Sequence, residues 1–151
     1  MADKKRAQAV QFALRQANDP NVGYSQDLDK RMGQNQGGGH RYYDCSGLMV
    51  QAYKSVGVTL GANDTRSMWN NWQSWAKQVP KSPSAMKPGD LVLINSDSPV
   101  EHHVLMYVGG GKCVAASTDG IEFSRQVRYG ESAQTYFDKY GSRSIVLRPN
   151  V

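Results

Sequence analysis

Two features of this chain suit acyl-transfer chemistry: a cysteine inside Tyr42-Tyr43-Asp44-Cys45-Ser46-Gly47, and a histidine pair, His102-His103, well downstream of it. A cysteine attacks an amide carbonyl as its thiolate, and an imidazole both takes the thiol proton and returns it to the leaving amine near neutral pH. Behind the cysteine, Leu48, Met49, Ala52, Tyr53 and Val56 recur at three- and four-residue spacing, which predicts a helix with one buried face, closed by Gly57. Cys45 then stands at a helix N-terminus, where unpaired N–H groups and the helix dipole favour the thiolate. Of the three histidines, His40 lies in a glycine-rich loop and is expected to be solvated. His102 and His103 begin a strand, so their side chains project to opposite faces and one of the two faces the cysteine helix.

The elements that must position these residues follow from hydrophobic periodicity and turn chemistry. Ala7, Val10, Leu14 and Ala17 fall on one face of an amphipathic helix over Lys4 to Ala17, which Asn18-Asp19-Pro20 stops. Tyr24 to Tyr43 is polar and glycine-rich and is expected to be a loop bordering a cleft. Asn63 or Asp64 caps a short helix carrying Met68, Trp69, Trp72 and Trp75, most of them core residues, with room for one to line the cleft. Lys87-Pro88-Gly89-Asp90 predicts a turn and Leu91 to Ile94 a buried strand. His103 to Val108 and Lys112 to Thr118 form a hairpin around Gly109-Gly110-Gly111. A short helix over Glu131 to Tyr140 and a last strand over Ser144 to Leu147 complete the pattern. Helices followed by strands indicate an α+β fold, and 151 residues without an internal repeat or linker indicate a single domain over 1–151.

Three separated motifs carry a resemblance to a known family. Asp44-Cys45-Ser46-Gly47-Leu48, Pro88-Gly89-Asp90-Leu91-Val92 and His103-Val104-Leu105-Met106-Tyr107-Val108-Gly109 occur in the order and at the intervals of the NlpC/P60 family of papain-like cysteine peptidases. The resemblance spans roughly Tyr24 to Thr118. It implies a papain-like fold with the nucleophile helix packed on a central antiparallel sheet, Cys45 as nucleophile and His103 as general base. Cell-wall peptides, cleaved at amide bonds such as the one following γ-D-glutamyl, are the implied substrate class. It further implies that Tyr24 sits beside the active site, that Asp44 helps hold the substrate amine and that Ser46 assists binding. The alternatives for these three are packing, helix capping and completion of the turn. The family's third catalytic residue, which orients the histidine, falls on Ala115, and alanine orients nothing. Ser117, Asp119, Glu101 and His102 are the neighbours that could supply the group, or a Cys-His dyad suffices. The Cys45 backbone N–H is the expected oxyanion donor.

Composition narrows the remaining classes. A net charge of +5 favours an anionic partner such as a cell wall, but the basic residues are scattered and no block interleaves with aromatics as a nucleic-acid groove requires. No run approaches the ~20 apolar residues of a membrane span, and Met1 to Arg6 lacks the apolar centre of a secretory signal. The expectation is synthesis in the cytoplasm, followed by delivery to the wall through phage lysis, a phage tail or a secretion apparatus, or excision from a longer exported protein. A monomer is expected. Adjacent histidines and unpaired cysteines do not make a metal site, and no cofactor is implied. The reading is therefore a peptidoglycan endopeptidase or amidase. The competing readings are a non-catalytic wall-binding module and a cysteine hydrolase acting on another amide.

Overall fold

The computed structural model describes residues 2–97, 100–117 and 123–151. The first helix, α1 (Ala2–Ala17), buries Ala9, Val10 and Ala13 along one stripe, as its periodicity requires. Its Arg6 is also buried and donates from Nη2 to the Pro149 carbonyl at 3.0 Å, tying the start of the chain to its end. Helix α2 (Cys45–Lys54) is buried over almost its whole length. Helix α3 (Thr65–Asn71) is capped by Asp64, which accepts from the Ser67 N–H at 2.8 Å, and runs into a single 3-10 turn at Trp72–Ser74.

Eight strands follow this order along the chain: β1 (Val22–Tyr24), β2 (Arg41–Tyr43), β3 (Ala76–Val79), β4 (Leu91–Asp97), β5 (Val100–Gly109), β6 (Lys112–Ala116), β7 (Val127–Ser132) and β8 (Ser144–Pro149). The last helix, α4 (Ala133–Tyr140), lies between β7 and β8. Six strands form one antiparallel sheet in the order β3-β8-β4-β5-β6-β7, and β1 and β2 make a separate parallel pair. Period-two alternation then divides the core in two. Leu91, Leu93, Val104, Met106, Val114 and Ala116 point into the layer of α1, α2 and α3. Val92, Ile94, Leu105, Tyr107, Cys113 and Ala115 point to the other face, beneath Phe137 and Tyr140 of α4. The architecture is the α+β arrangement expected, with the cysteine helix packed on an antiparallel sheet.

Turn chemistry explains how the sheet is joined. Gly109, Gly110 and Gly111 all adopt positive φ (100°, 63° and 79°), which is why three successive glycines connect β5 to β6. Asp90, fully buried at the entry to β4, accepts from the Lys87 N–H at 2.8 Å and holds Arg148 of β8 through two contacts of 2.8 Å. Three sequence expectations are corrected. The segment from Tyr24 to Tyr43 is not all loop, because its ends pair as β1 and β2. Strand β3 was not foreseen, its four residues being too short and polar for a clear alternation. Glu131 and Ser132 belong to β7, and Ser132 caps α4 instead of lying inside it. Thr118, the expected end of β6, lies outside the described residues.

Candidate active site

The nucleophile turn is built from one ion pair. Asp44 caps α2: its Oδ1 accepts from the Gly47 N–H at 2.6 Å and from the Ser46 hydroxyl at 3.1 Å. Its Oδ2 accepts from Arg31 Nε at 2.6 Å, and both side chains of that pair are largely shielded from solvent. Arg31 reaches further, donating to Ser46 Oγ at 3.0 Å and to the Asn63 carbonyl. The loop backbone presses so close that a Cβ on Gly47 would stand 2.0 Å from the Arg31 carbonyl oxygen, so the residue two after the cysteine must be glycine. These contacts spend both carboxylate oxygens of Asp44 and the hydroxyl of Ser46 on the turn itself. Asp44 thus caps the helix and Ser46 completes the turn, the alternatives to the substrate contacts that the resemblance implies for them. Arg31 was not identified from the sequence, because nothing in its polar loop marks it apart from its neighbours.

Cys45 is 9% exposed and carries no disulfide. Its sulfur meets the backbone of β5 at Val104 as well as the backbone groups of Ser46 and of its own residue, all of which favour the thiolate. The opposing influences are stronger: burial first, then the Asp44 carboxylate, push the thiol up to about 12. Burial and the Asp44 carboxylate therefore oppose the thiolate that the helix N-terminus favours. The residue that caps the helix supplies a negative charge where the dipole supplies a positive one.

The thiol arrives where the central sheet parts. Among the described residues, β5 and β6 pair from Gly109↔Lys112 to Met106↔Val114, while β6 stays paired with β7 as far as Ala116↔Val127. Val104 stands beyond the end of the β5–β6 ladder. His103, 7% exposed, is the next residue. Its ring turns to the α4 face and packs against Tyr136, with centroids 6.1 Å apart. His102 projects to the other face, with Val104 and Met106, and lines a cavity beneath α3. The two imidazoles thus lie on opposite faces of the sheet, His103 toward α4 and His102 toward α3. Alternation around the apolar Val104 sends His102 there, and the structure brings Cys45 to the backbone beside His103.

The structure places several of the residues considered for orienting His103. Ala115 is buried on the His103 face, paired across the sheet with Arg128. Ser117 is half-buried at the end of β6 and its N–H bonds the Gln126 carbonyl at 2.7 Å. His102 lies on the opposite face of the sheet. Asp119 and the Glu101 side chain lie outside the described residues. Beside His103 instead stands Tyr136, whose hydroxyl donates to Glu131, which Arg128 holds at 2.7 Å.

The other marked residues are placed as follows. Tyr24 pairs with Tyr43 across β1 and β2, two residues before the nucleophile, and its hydroxyl accepts from Gln26 Nε2 at 2.8 Å. His40 is exposed in its loop. Cys113 is fully buried on the α4 face, and burial pushes its thiol up to about 12. Among the described residues no three His, Cys, Asp or Glu side chains gather as a metal site, and no helix is long and apolar enough to cross a membrane.

The sequence model of the NlpC/P60 family matches residues 33–141. A protein of Listeria grayi named probable endopeptidase p60 is 33% identical over 79 residues, covering 52% of this chain and 14% of that protein. A probable endopeptidase of Mycobacterium tuberculosis is 30% identical over 79 residues, covering 52% of this chain and 18% of its own. The match thus spans less than a fifth of these relatives. Among solved structures, NlpC1 of Trichomonas vaginalis superposes with a TM-score of 0.64 at 24% identity, over 95% of this chain and 43% of that one. The peptidoglycan hydrolase RipB of M. tuberculosis gives 0.59 at 24%, over 98% and 68%. At these identities the superpositions establish a shared fold.

Proposed function

The chain belongs to the NlpC/P60 family, and from that premise we propose that it is a cysteine peptidase that cleaves amide bonds in the stem peptides of bacterial peptidoglycan. One observation carries the reading: the Cys45 sulfur, at the start of α2, meets the β5 backbone at Val104, next to His103, where the β5–β6 ladder has ended. The thiol is protonated at rest, so attack on the scissile carbonyl requires a base to accept the proton as the C–S bond forms. His103 takes that proton and then delivers it to the leaving amine. Water hydrolyses the resulting thioester, with the same imidazole as base. The Cys45 backbone N–H, at the open end of α2, donates to the oxyanion. Tyr136, which packs against the imidazole, positions His103 in this reading. The names of the relatives support a peptidase, and the name of one structural neighbour supports peptidoglycan as the substrate. Their wider functions do not transfer across so short a match.

A second reading rests on a specific observation: His102 shares the sheet face of the cysteine helix and is therefore the alternative base. Mass spectrometry of products from purified peptidoglycan tests both. Wild type is expected to release new amino termini within stem peptides or cross-bridges, and Cys45→Ala none. Loss of a general base costs ~10²–10⁴-fold in rate, expected for His103→Ala; the same loss in His102→Ala instead would transfer the role. Whole stem peptides released from muramic acid would make the enzyme an amidase. No products from any wall type, with binding retained, would make the domain a wall-binding module.

A further inference from the structure

We infer that the cavity between α3 and the paired strands β4 and β5 is a subsite for a carboxylate group of the peptide substrate, anchored by Arg66. The inference deepens the peptidase reading and rests on it for the nature of the ligand. The cavity measures about 290 Å³ and is lined by Arg66, Trp69, Asn70, Asn95 and His102. That is room for about one amino-acid-sized group, below the usual range for larger ligands.

Its lining is chemically one-sided. A guanidinium, two carboxamides and an imidazole line it, and among the described residues no carboxylate does. Arg66 is exposed and forms no ion pair among the described residues. Asp64, which the Arg66 charge reaches, has its carboxylate engaged at the Ser67 N–H. A planar fork of donors matches a carboxylate, and the Trp69 indole provides an apolar wall for the adjoining carbon chain.

Position relates the cavity to the nucleophile. Asn95 and His102 are cross-strand partners, and His102 shares its sheet face with Val104, the residue that Cys45 meets. Two residues of strand separate them, about 7 Å. Arg31 bonds both the nucleophile turn and the Asn63 carbonyl just ahead of α3, so α3 and Cys45 are held to one anchor. An extended peptide with its scissile carbonyl at Cys45 reaches the cavity within about two residues.

The test is calorimetric titration of Cys45→Ala with two synthetic stem peptides, identical except that one has its free carboxylates converted to carboxamides. The carboxylate form is expected to bind at least about tenfold tighter at low salt, the ratio shrinking as salt rises. Adding Arg66→Gln should reduce the ratio to below about twofold, and Arg66→Lys, which keeps the charge and loses the fork, should leave an intermediate ratio. Equal affinity for the two peptides, a preference that survives Arg66→Gln, or no binding of either peptide overturns the subsite. Turnover of peptidoglycan by wild type is read separately. Products without a carboxylate preference leave the peptidase and remove the subsite, whereas an Arg66-dependent preference without products leaves the subsite and removes the peptidase.

Discussion

At Cys45 two sets of forces meet: backbone groups of Val104, Ser46 and Cys45 stabilise the thiolate, while burial and the adjacent Asp44 carboxylate oppose it and prevail. A thiol held near 12 is almost wholly protonated at neutral pH, so the resting protein resists alkylation. Iodoacetamide labelling at Cys45, followed by peptide mapping, should therefore be slow at neutral pH and accelerate steadily as the solution becomes alkaline. A plateau already reached below the ordinary thiol value would mean that a positive partner, such as an imidazolium, outweighs burial. The cysteine and the histidine pair could be marked from residue type and spacing alone. The state of the thiol could not, because it depends on how deeply α2 packs and on a carboxylate whose partner, Arg31, lies in an unmarked loop.

The helix and strands around the site owe their placement to a few contacts that admit little change. Gly47→Ala forces the Arg31 carbonyl away from a new methyl group, so the Asp44–Arg31 pair and the cap must loosen. Losing a cap costs ~1 kcal/mol, and the variant should show both a lower melting temperature and a larger loss of activity than so small a stability change explains. Unchanged activity would disconnect this turn from the chemistry. Asp90→Ala leaves the half-buried guanidinium of Arg148 without its carboxylate and should cost ~1–3 kcal/mol by denaturant unfolding, with Asp90→Ala/Arg148→Met recovering a substantial part. Equal losses in single and double variants would mean that the two side chains act independently. Long or strongly periodic elements, α1, α2, β4 and β5, were legible in the sequence. The three-residue strands β1 and β2 were not, since their pairing is made by distant chain. Strand β7 was hidden because its polar end, Glu131-Ser132, carries the cap of α4. The missing third residue at Ala115 was visible from the motif, whereas Tyr136 beside His103 needed the fold.

Across the whole molecule, the six-stranded sheet buries ionisable groups on both faces, and this couples stability to alkaline pH. Burial raises Cys45 and Cys113 from 9.0 to about 12, and raises Tyr53 as well. From about pH 9 the unfolded chain releases thiol protons that the native protein retains, so native stability is fully present below that pH and falls as pH rises toward about 12. Thermal unfolding in a reducing buffer from about pH 8 upward should show this decline, with a shallower slope for Cys113→Ala; an unchanged slope would remove Cys113 from the account. A net charge of +5 is consistent with the anionic partner proposed above, with the Arg66 cavity as the proposed carboxylate subsite. The central claim is that Cys45 forms a covalent acyl intermediate with a wall peptide. Intact-protein mass spectrometry of acid-quenched reactions with stem-peptide substrate should find an adduct of acyl-fragment mass, mapped to Cys45 and lost on completion of turnover. Hydrolysis that persists in Cys45→Ala would contradict the claim directly.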